Sequence, residues 1–181
     1  MIDEIMEYNR KFVENKGYEP YLTSKYPDKK LAILTCMDTR LLELLPAALG
    51  IKNGDAKIIK NAGGVIVHPY GSVVRSLLVG ILELGVEEVM VIGQTDCGVQ
   101  GMDGSEMLDM LVERGIDQQH IDIVRHSGID LERWLGGFES VESSVHETVR
   151  RLKEHPLMPK DVRISGFIMD SATGELTRVE E

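Results

Sequence analysis

Short apolar runs separated by segments of helical periodicity constrain the fold of this chain most strongly. Residues 30–36 and 88–93 are each almost continuous in apolar side chains, as expected for strands that are buried on both faces of a parallel sheet. Residues 56–61 and 162–169 predict two further strands. We expect these four strands to lie side by side in one central sheet.

The segments between the strands have the spacing of helices. In residues 72–84 the apolar positions recur at helical spacing, and Gly85 supplies a C-terminal stop. Further helices are predicted over residues 2–15, 41–49, 105–114 and 141–153, and residues 115–138 are ambiguous between helix and loop. Strands that alternate with helices predict a single α/β domain over residues 1–181, with a mostly parallel central sheet flanked by helices. Residues 174–179 can fold back as an antiparallel C-terminal edge strand.

Composition and charge narrow the function classes. With 181 residues, 43% of them hydrophobic, the chain is long enough for one core and short for two. A formal net charge of -10 argues against a nucleic-acid partner, because such affinity comes largely from clustered Lys and Arg. The longest apolar stretch, residues 76–84, is far shorter than the roughly 20 residues that cross a bilayer. The acidic N-terminus lacks the features of a secretory signal, so we expect a cytoplasmic location and no membrane partner.

The chain contains two cysteines, Cys36 and Cys97, each at or just past the end of a predicted strand. In a reducing compartment two thiols are more often buried, catalytic or metal-bound than joined in a structural disulfide. Ligands of parallel sheets collect beyond the carboxyl ends of the strands, where the strand order reverses direction. If strands 56–61 and 88–93 flank strand 30–36, the two thiols meet at that reversal and can form half of a tetrahedral zinc site.

Three short motifs follow the first three predicted strands. They are Cys-x-Asp-x-Arg at residues 36–40, Asn-Ala-Gly at residues 61–63 and Gly-x-x-x-Cys-Gly at residues 93–98. In this spacing and order the motifs resemble those of the β-class carbonic anhydrases, and the short length of the chain is similar to that of the compact microbial members of that family.

The resemblance implies roles for five residues. Cys36 and Cys97 would be thiolate ligands of zinc. Asp38 would either ligate zinc or turn away to pair with Arg40 and orient the nucleophilic water. The backbone of Gly63 would lie near the substrate pocket.

One position departs from the family pattern. Where the family has His-x-x-Cys, this chain has Gln94 three residues before Cys97, so the usual histidine ligand is absent. A carboxamide oxygen has a reach comparable to that of an imidazole nitrogen and leaves the formal charge of the site unchanged, but it is a weak zinc donor. Since loss of an outer-shell partner already costs about 10–100-fold in metal affinity, loss of a ligating imidazole should cost at least as much.

Simpler structural roles remain open for the same residues. Cys36 and Cys97 can be ordinary buried thiols. Asp38, between a strand and a helix, can serve only as a helix cap, with Arg40 as its ion partner. The glycines after Asn61 can be needed only for a tight turn. None of the five histidines has ligand spacing to a cysteine, although His68 lies in the loop after those glycines.

The interpretation we favour is a zinc-dependent lyase that hydrates carbon dioxide reversibly to bicarbonate, weakened by Gln94. A related heterocumulene such as carbon disulfide is also compatible with the resemblance. The alternative is a catalytically inactive carbonic anhydrase-like binding or regulatory protein, and a third hypothesis is a metal-free binder of a small anion. The resemblance also implies a homodimer or a higher homo-oligomer, in which the helix over residues 2–15 packs on a partner subunit.

Overall fold

The computed structural model describes residues 1–179, so the last two residues of the predicted domain lie outside the described residues. Twelve helices and strands follow one another along the described residues: α1 (Ile2–Glu14), β1 (Leu31–Cys36), α2 (Leu44–Ala48), β2 (Ala56–Asn61), α3 (Ser72–Leu84), β3 (Glu88–Gln94), α4 (Gly104–Glu113), α5 (Gln118–His126), α6 (Leu131–Leu135), α7 (Val141–Glu154), β4 (Arg163–Met169) and β5 (Leu176–Arg178). Short 3-10 turns lie between some of them, at Glu19–Tyr21, Thr39–Leu41 and Ala62–Gly64. The predicted alternation of strands and helices is therefore confirmed.

The five strands form one sheet in the order β2-β1-β3-β4-β5. The first four are parallel, and β5 pairs antiparallel with β4 through Phe167↔Arg178 and Met169↔Leu176. This arrangement confirms the predicted mostly parallel sheet and its antiparallel edge strand. Because β2 and β3 flank β1, the strand order reverses at β1, where Cys36 ends the strand.

Successive side chains of a strand point to opposite faces of the sheet, so the core is divided into one cluster on each face. On one face Ala32 and Leu34 of β1 join a cluster with Val74 and Leu77 of α3 and with residues of α7. On the other face Ile33 joins a cluster with Leu41 and Leu45, near α2, and with both cysteines. A layer of α3 and α7 thus covers one face, and α2 with the loops at the strand ends covers the other.

Residues 115–138, ambiguous in sequence, contain two short helices. Asp117 caps α5 by accepting the Gln119 N–H at 2.8 Å, and Asp130 caps α6 by accepting the Arg133 N–H at 3.0 Å. With α4 these helices enclose a separate small cluster of Leu108, Ile121 and Leu131. Apolar positions shared among three short helices give no single long periodic pattern, which explains the ambiguity.

Helix α1 contributes no buried residue to the core. Its apolar side chains Ile2, Ile5, Met6 and Val13 are all exposed. No helix within residues 1–179 is long and apolar enough to span a bilayer.

Two glycines of the sheet allow α7 to approach it closely. A Cβ at Gly93 would lie 2.7 Å from a Val141 methyl and 2.8 Å from a Val145 methyl, and a Cβ at Gly166 would lie 2.6 Å from another methyl of Val145. Distances this short require the helix or the strand to shift.

We predict that Gly93→Ala and Gly166→Ala each lower the free energy of unfolding by about 1–3 kcal/mol, because overpacking a close-packed interface forces such shifts. Urea unfolding followed by circular dichroism measures the change. Gly80→Ala is the control, because its Cβ meets a Val86 methyl at 3.4 Å and alanine favours the α3 helix. Unchanged stability of both sheet variants would contradict this account of the packing.

Candidate metal centre

The sulfurs of Cys36 and Cys97 lie 3.9 Å apart, although 61 residues separate the two cysteines. Both side chains are buried, Cys36 at the end of β1 and Cys97 in the loop after β3. The parallel pairing of β1 with β3 brings these two positions to the same edge of the sheet. The predicted meeting of the two thiols at the strand-order reversal is therefore seen in the fold.

Local hydrogen bonds and one glycine hold the end of β1 in place. The buried Thr35 hydroxyl donates to the Ile92 carbonyl of β3 at 2.9 Å, and the Met37 N–H donates to the Asn61 carbonyl of β2 at 2.8 Å. Gly64 has a φ of 65°, and a Cβ there would lie 3.0 Å from the Thr35 carbonyl carbon and 3.1 Å from the Cys36 nitrogen. A side chain at Gly64 would thus press on the backbone that positions the first thiol.

Gly63 packs against two apolar side chains that line one side of the thiol site. Its φ is 83°, and a Cβ at this position would lie 3.1 Å from the Phe138 ring and 3.3 Å from a Val99 methyl. Phe138 and Val99 both pack against the cluster that contains the cysteines. Sequence reasoning missed these two residues, because neither belongs to a polar motif.

The two thiols have different acidities. Burial raises the pKa of Cys36, but hydrogen bonds from the Gln94 side chain and from the backbone N–H groups of Gly63 and Asp38 outweigh burial and lower that pKa overall. Burial raises the pKa of Cys97, and the charge of Cys36 adds to the rise. Cys36 is therefore the first of the pair to ionise, and the chain itself supplies donors that stabilise its thiolate.

Gln94 is fully buried at the end of β3. Its Nε2 donates a long hydrogen bond of 3.4 Å to Asp38 Oδ2. Its Oε1 is buried and has no hydrogen-bond partner within residues 1–179. An unpaired buried amide oxygen is costly, so this atom points to a missing donor or cation. Rotation of the amide plane by half a turn exchanges oxygen and nitrogen, and the hydrogen-bond network alone decides between the two orientations.

Asp38 and Arg40 form a bidentate ion pair. Arg40 Nε donates to Asp38 Oδ1 at 3.0 Å and Arg40 Nη2 donates to Asp38 Oδ2 at 2.8 Å. Asp38 also caps the following turn by accepting the Arg40 backbone N–H at 2.9 Å. The hydrogen bonds to Arg40 lower the pKa of Asp38 to about 2. The carboxylate is thus ionised near neutral pH and turned toward Arg40.

Two further charged residues at the site were not selected from the sequence. Asp96 contacts Arg40 on its other side, with Arg40 Nη1 donating to Asp96 Oδ2 at 2.8 Å. Lys60 lies on β2 in register with Thr35; burial lowers its pKa, whereas the charges of Cys36 and Asp38 act in the opposite direction. Among residues 1–179 the His68 ring contacts Tyr70, whose N–H it accepts within the same loop.

The thiol pair fits a zinc ion. Two Zn–S bonds of about 2.3 Å at the tetrahedral angle separate their sulfurs by about 3.8 Å, which matches the distance observed here. Within residues 1–179 no group of three or more His, Cys, Asp or Glu side chains is placed to hold a metal ion. The third donor would therefore be Gln94, a carboxamide, and Asp38 would have to leave Arg40 to become the fourth.

We predict that the metal-free thiols form a Cys36–Cys97 disulfide in air, because their sulfurs need to approach by only about 2 Å. Titration of thiols in denaturant should show two in protein kept with excess zinc and none after exposure to oxygen and a chelator. Cys97→Ser, the control, should retain its single thiol under both conditions. Two thiols that survive oxidation without zinc would contradict the prediction.

Comparison with known proteins agrees with this geometry. The family model for carbonic anhydrases matches residues 31–176. The Bacillus subtilis protein YvdA, provisionally named a carbonic anhydrase, is 51% identical over 97% of this chain and 89% of its own length. The β-carbonic anhydrase 1 of Mycobacterium tuberculosis is 31% identical over 84% of this chain and 83% of its own.

A solved structure extends the likeness to three dimensions. The β-carbonic anhydrase isoform I of Trichomonas vaginalis superposes with a TM-score of 0.88 at 34% identity, covering 99% of this chain and 97% of that one. The family model spans the four parallel strands and all the motifs at their carboxyl ends. This chain belongs to the β-carbonic anhydrase family.

Proposed function

We propose that this chain is a zinc-dependent carbonic anhydrase, which hydrates carbon dioxide reversibly to bicarbonate. The observation that carries the proposal is the pair of buried sulfurs, 3.9 Å apart, at the carboxyl edge of the sheet. Membership of the family supports the reaction class, and the spacing of the sulfurs supports the metal. The Oε1 of Gln94 is unpaired, so it is free to accept a cation once the amide rotates.

Three residues would hold the metal: Cys36 and Cys97 through sulfur, and Gln94 through Oε1 after rotation of its amide. When bound, zinc supplies Lewis acidity that makes a hydroxide nucleophile available at neutral pH. The thiolate of Cys36 is prepared for this use by the N–H donors of Gly63 and Asp38. Those donors are fixed by the backbone and do not depend on the metal.

The other residues of the site would place the reactants. Asp38, with a pKa of about 2, remains a carboxylate at neutral pH, so its oxygens accept hydrogen bonds and orient a water without taking its proton permanently. Arg40 holds that carboxylate by two hydrogen bonds. The apolar side chains of Val99 and Phe138 beside Gly63 would offer an apolar molecule such as carbon dioxide a surface next to the thiols.

A specific observation favours the second candidate, a carbonic anhydrase-like protein without catalysis. The nitrogen of the Gln94 amide, rather than its oxygen, faces Asp38, and a hydrogen bond from the Gln94 side chain reaches Cys36. In this orientation Gln94 donates to the anions of the site and takes the place of a cation. Such a site can bind or regulate without hydrating carbon dioxide.

Substrate choice among small heterocumulenes belongs to the same proposal. A carbon disulfide hydrolase of Acidithiobacillus thiooxidans is 30% identical over 82% of this chain and 76% of its own length. Carbon dioxide is the substrate we propose for this chain, because the relatives with the higher identity carry the carbonic anhydrase name. Activity on carbon disulfide with none on carbon dioxide would overturn that choice.

We also propose a cytoplasmic homodimer or higher homo-oligomer. The exposed face of α1, with Ile2, Ile5 and Met6, needs cover that the described chain does not provide. A second copy of the chain supplies it if α1 packs on the partner subunit. A pair of thiols that are proposed as metal ligands must stay reduced, which suits a cytoplasmic location.

We predict that Gln94→His raises zinc affinity about tenfold or more and increases carbon dioxide hydration, because imidazole is a better zinc donor than a carboxamide and the charge of the site is unchanged. Cys36→Ser or Cys97→Ser should abolish metal binding in either background. Chelator competition measures the affinity and stopped-flow hydration measures the chemistry.

The outcomes separate the two candidate functions. A Gln94→His variant that binds zinc tightly and remains inactive would favour the non-catalytic protein. Wild-type protein that already binds zinc tightly and hydrates carbon dioxide fast would show that Gln94 is a competent ligand. Wild-type protein that holds no zinc even in excess metal would overturn the metal-dependent proposal.

We predict that Ile5→Glu shifts the protein toward the monomer, because it places a charge in the apolar face of α1. Size-exclusion chromatography with light scattering measures the mass. Leu157→Glu, which also replaces an exposed apolar residue, is the control and should keep the wild-type mass. A wild-type monomer, or an unchanged mass for Ile5→Glu, would contradict the role of α1.

A further inference from the structure

Arg40 links two loops through a set of four side-chain hydrogen bonds. Two of them reach the carboxylate of Asp38, in the loop after β1. The other two reach Asp96, in the loop after β3: Nη1 donates to Oδ2 at 2.8 Å, and Nη2 donates to the backbone carbonyl at 2.8 Å. All three nitrogens of the guanidinium are therefore engaged, and one side chain joins the loop that follows Cys36 to the loop that contains Cys97.

The backbone of Asp96 adopts an unusual conformation. Its φ is 53°, in the left-handed region that residues other than glycine rarely occupy, although Asp and Asn tolerate it better than most. In this conformation both its carboxylate and its own carbonyl face Arg40. Backbone strain of this kind at a functional site points to a role for the residue that bears it.

A stabilising role explains Asp96 poorly. Its side chain is 85% exposed, and exposed ion pairs contribute little to the free energy of unfolding. Within residues 1–179 its carboxylate pairs with Arg40, which in turn holds Asp38. The effect of Asp96 is thus directed at the position of Arg40.

We propose that Asp96 is a positioning residue, which anchors Arg40 from the far side and so keeps the Asp38 carboxylate turned away from the thiol pair. The proposal rests on the proposed function in one respect, that the thiols hold a cation. A carboxylate beside such a cation is attracted to it, and Arg40 opposes that attraction only as long as Arg40 itself stays in place. Asp96 supplies the second attachment that keeps it there.

Loss of the Asp96 charge has a signature that a structural defect lacks. With Arg40 less firmly held, Asp38 reaches the metal more often and occupies a position that the reaction needs open. The turnover number then falls, while zinc is bound at least as tightly because an anionic ligand is added. Damage to the fold of the loop would instead weaken zinc binding and turnover together.

The test compares Asp96→Asn, which keeps the size of the side chain and tolerates the left-handed backbone, with Asp161→Asn, which removes an exposed charge elsewhere. The first measurement is solvent exchange of the Arg40 Nε–H by NMR, in reduced, chelator-treated protein, with the signal assigned by its loss in Arg40→Lys. We expect exchange about two- to fivefold faster in Asp96→Asn, the factor for loss of one exposed ion pair, and no change in Asp161→Asn.

The second measurement is zinc affinity by chelator competition beside kcat for carbon dioxide. We expect kcat to fall by a similar factor in Asp96→Asn, with zinc affinity unchanged or higher. Asp96→Gly accepts the left-handed backbone and keeps the carbonyl contact, so we expect the same changes in kcat and zinc affinity. This variant replaces Asp96→Asn in the test if Asp96→Asn folds poorly.

The proposal is overturned if Arg40 exchanges equally fast in Asp96→Asn and Asp161→Asn, or if zinc affinity falls as far as kcat. If wild-type protein neither binds zinc nor hydrates carbon dioxide, the proposed function is wrong, whatever the role of Asp96. The Arg40 signal, which needs neither metal nor turnover, still decides whether Asp96 anchors Arg40.

Discussion

The parallel pairing of β1 with β3 is the constraint on which the site depends. It places Thr35 opposite Ile92, and the buried Thr35 hydroxyl reinforces the register through its bond to the Ile92 carbonyl. A one-residue slip would turn the side chains of β1 to the opposite faces of the sheet. The sulfur of Cys36 would then no longer meet that of Cys97. Sheet register therefore sets the distance on which any shared metal ion depends.

The site contains more negatively charged side chains than positively charged ones. Cys36, Asp38 and Asp96 carry or readily acquire a negative charge. Arg40 pairs with Asp38 and Asp96, and Lys60 lies near Cys36 and Asp38. Backbone N–H groups stabilise the Cys36 thiolate without adding a formal charge. A divalent cation between the thiols would neutralise the remaining negative charge. The ion pairs and the proposed metal therefore form one electrostatic arrangement.

Gln94 makes this member of the family informative. A carboxamide has a donor and an acceptor end, so the same buried side chain can donate to Asp38 or offer its oxygen to a cation. The structure shows the donor end in use and the acceptor end unpaired. A histidine at this position could also change its protonation, whereas a glutamine cannot. The chemistry of the site therefore depends on which way one amide plane is turned.

The sequence by itself determined the strands, the principal helices and the motif residues at the strand ends, such as Cys36, Asp38 and Cys97. Buried runs that end in Cys36 and Gln94, helical spacing over α3 and the motifs at the strand ends are all local patterns, which is why β2 and α3 have the predicted bounds. Residues 118–135 escaped prediction because three short helices share their small core.

Only the tertiary structure decided which distant groups meet. The 3.9 Å between the sulfurs, the wall of Val99 and Phe138 over Gly63, and the second attachment of Arg40 at Asp96 join loops that lie far apart in the chain. Phe138 has no polar motif, and Asp96 has no periodic pattern to mark it. Their roles arise from contacts across the sheet edge, because strand order and register, rather than spacing in sequence, bring those loops together.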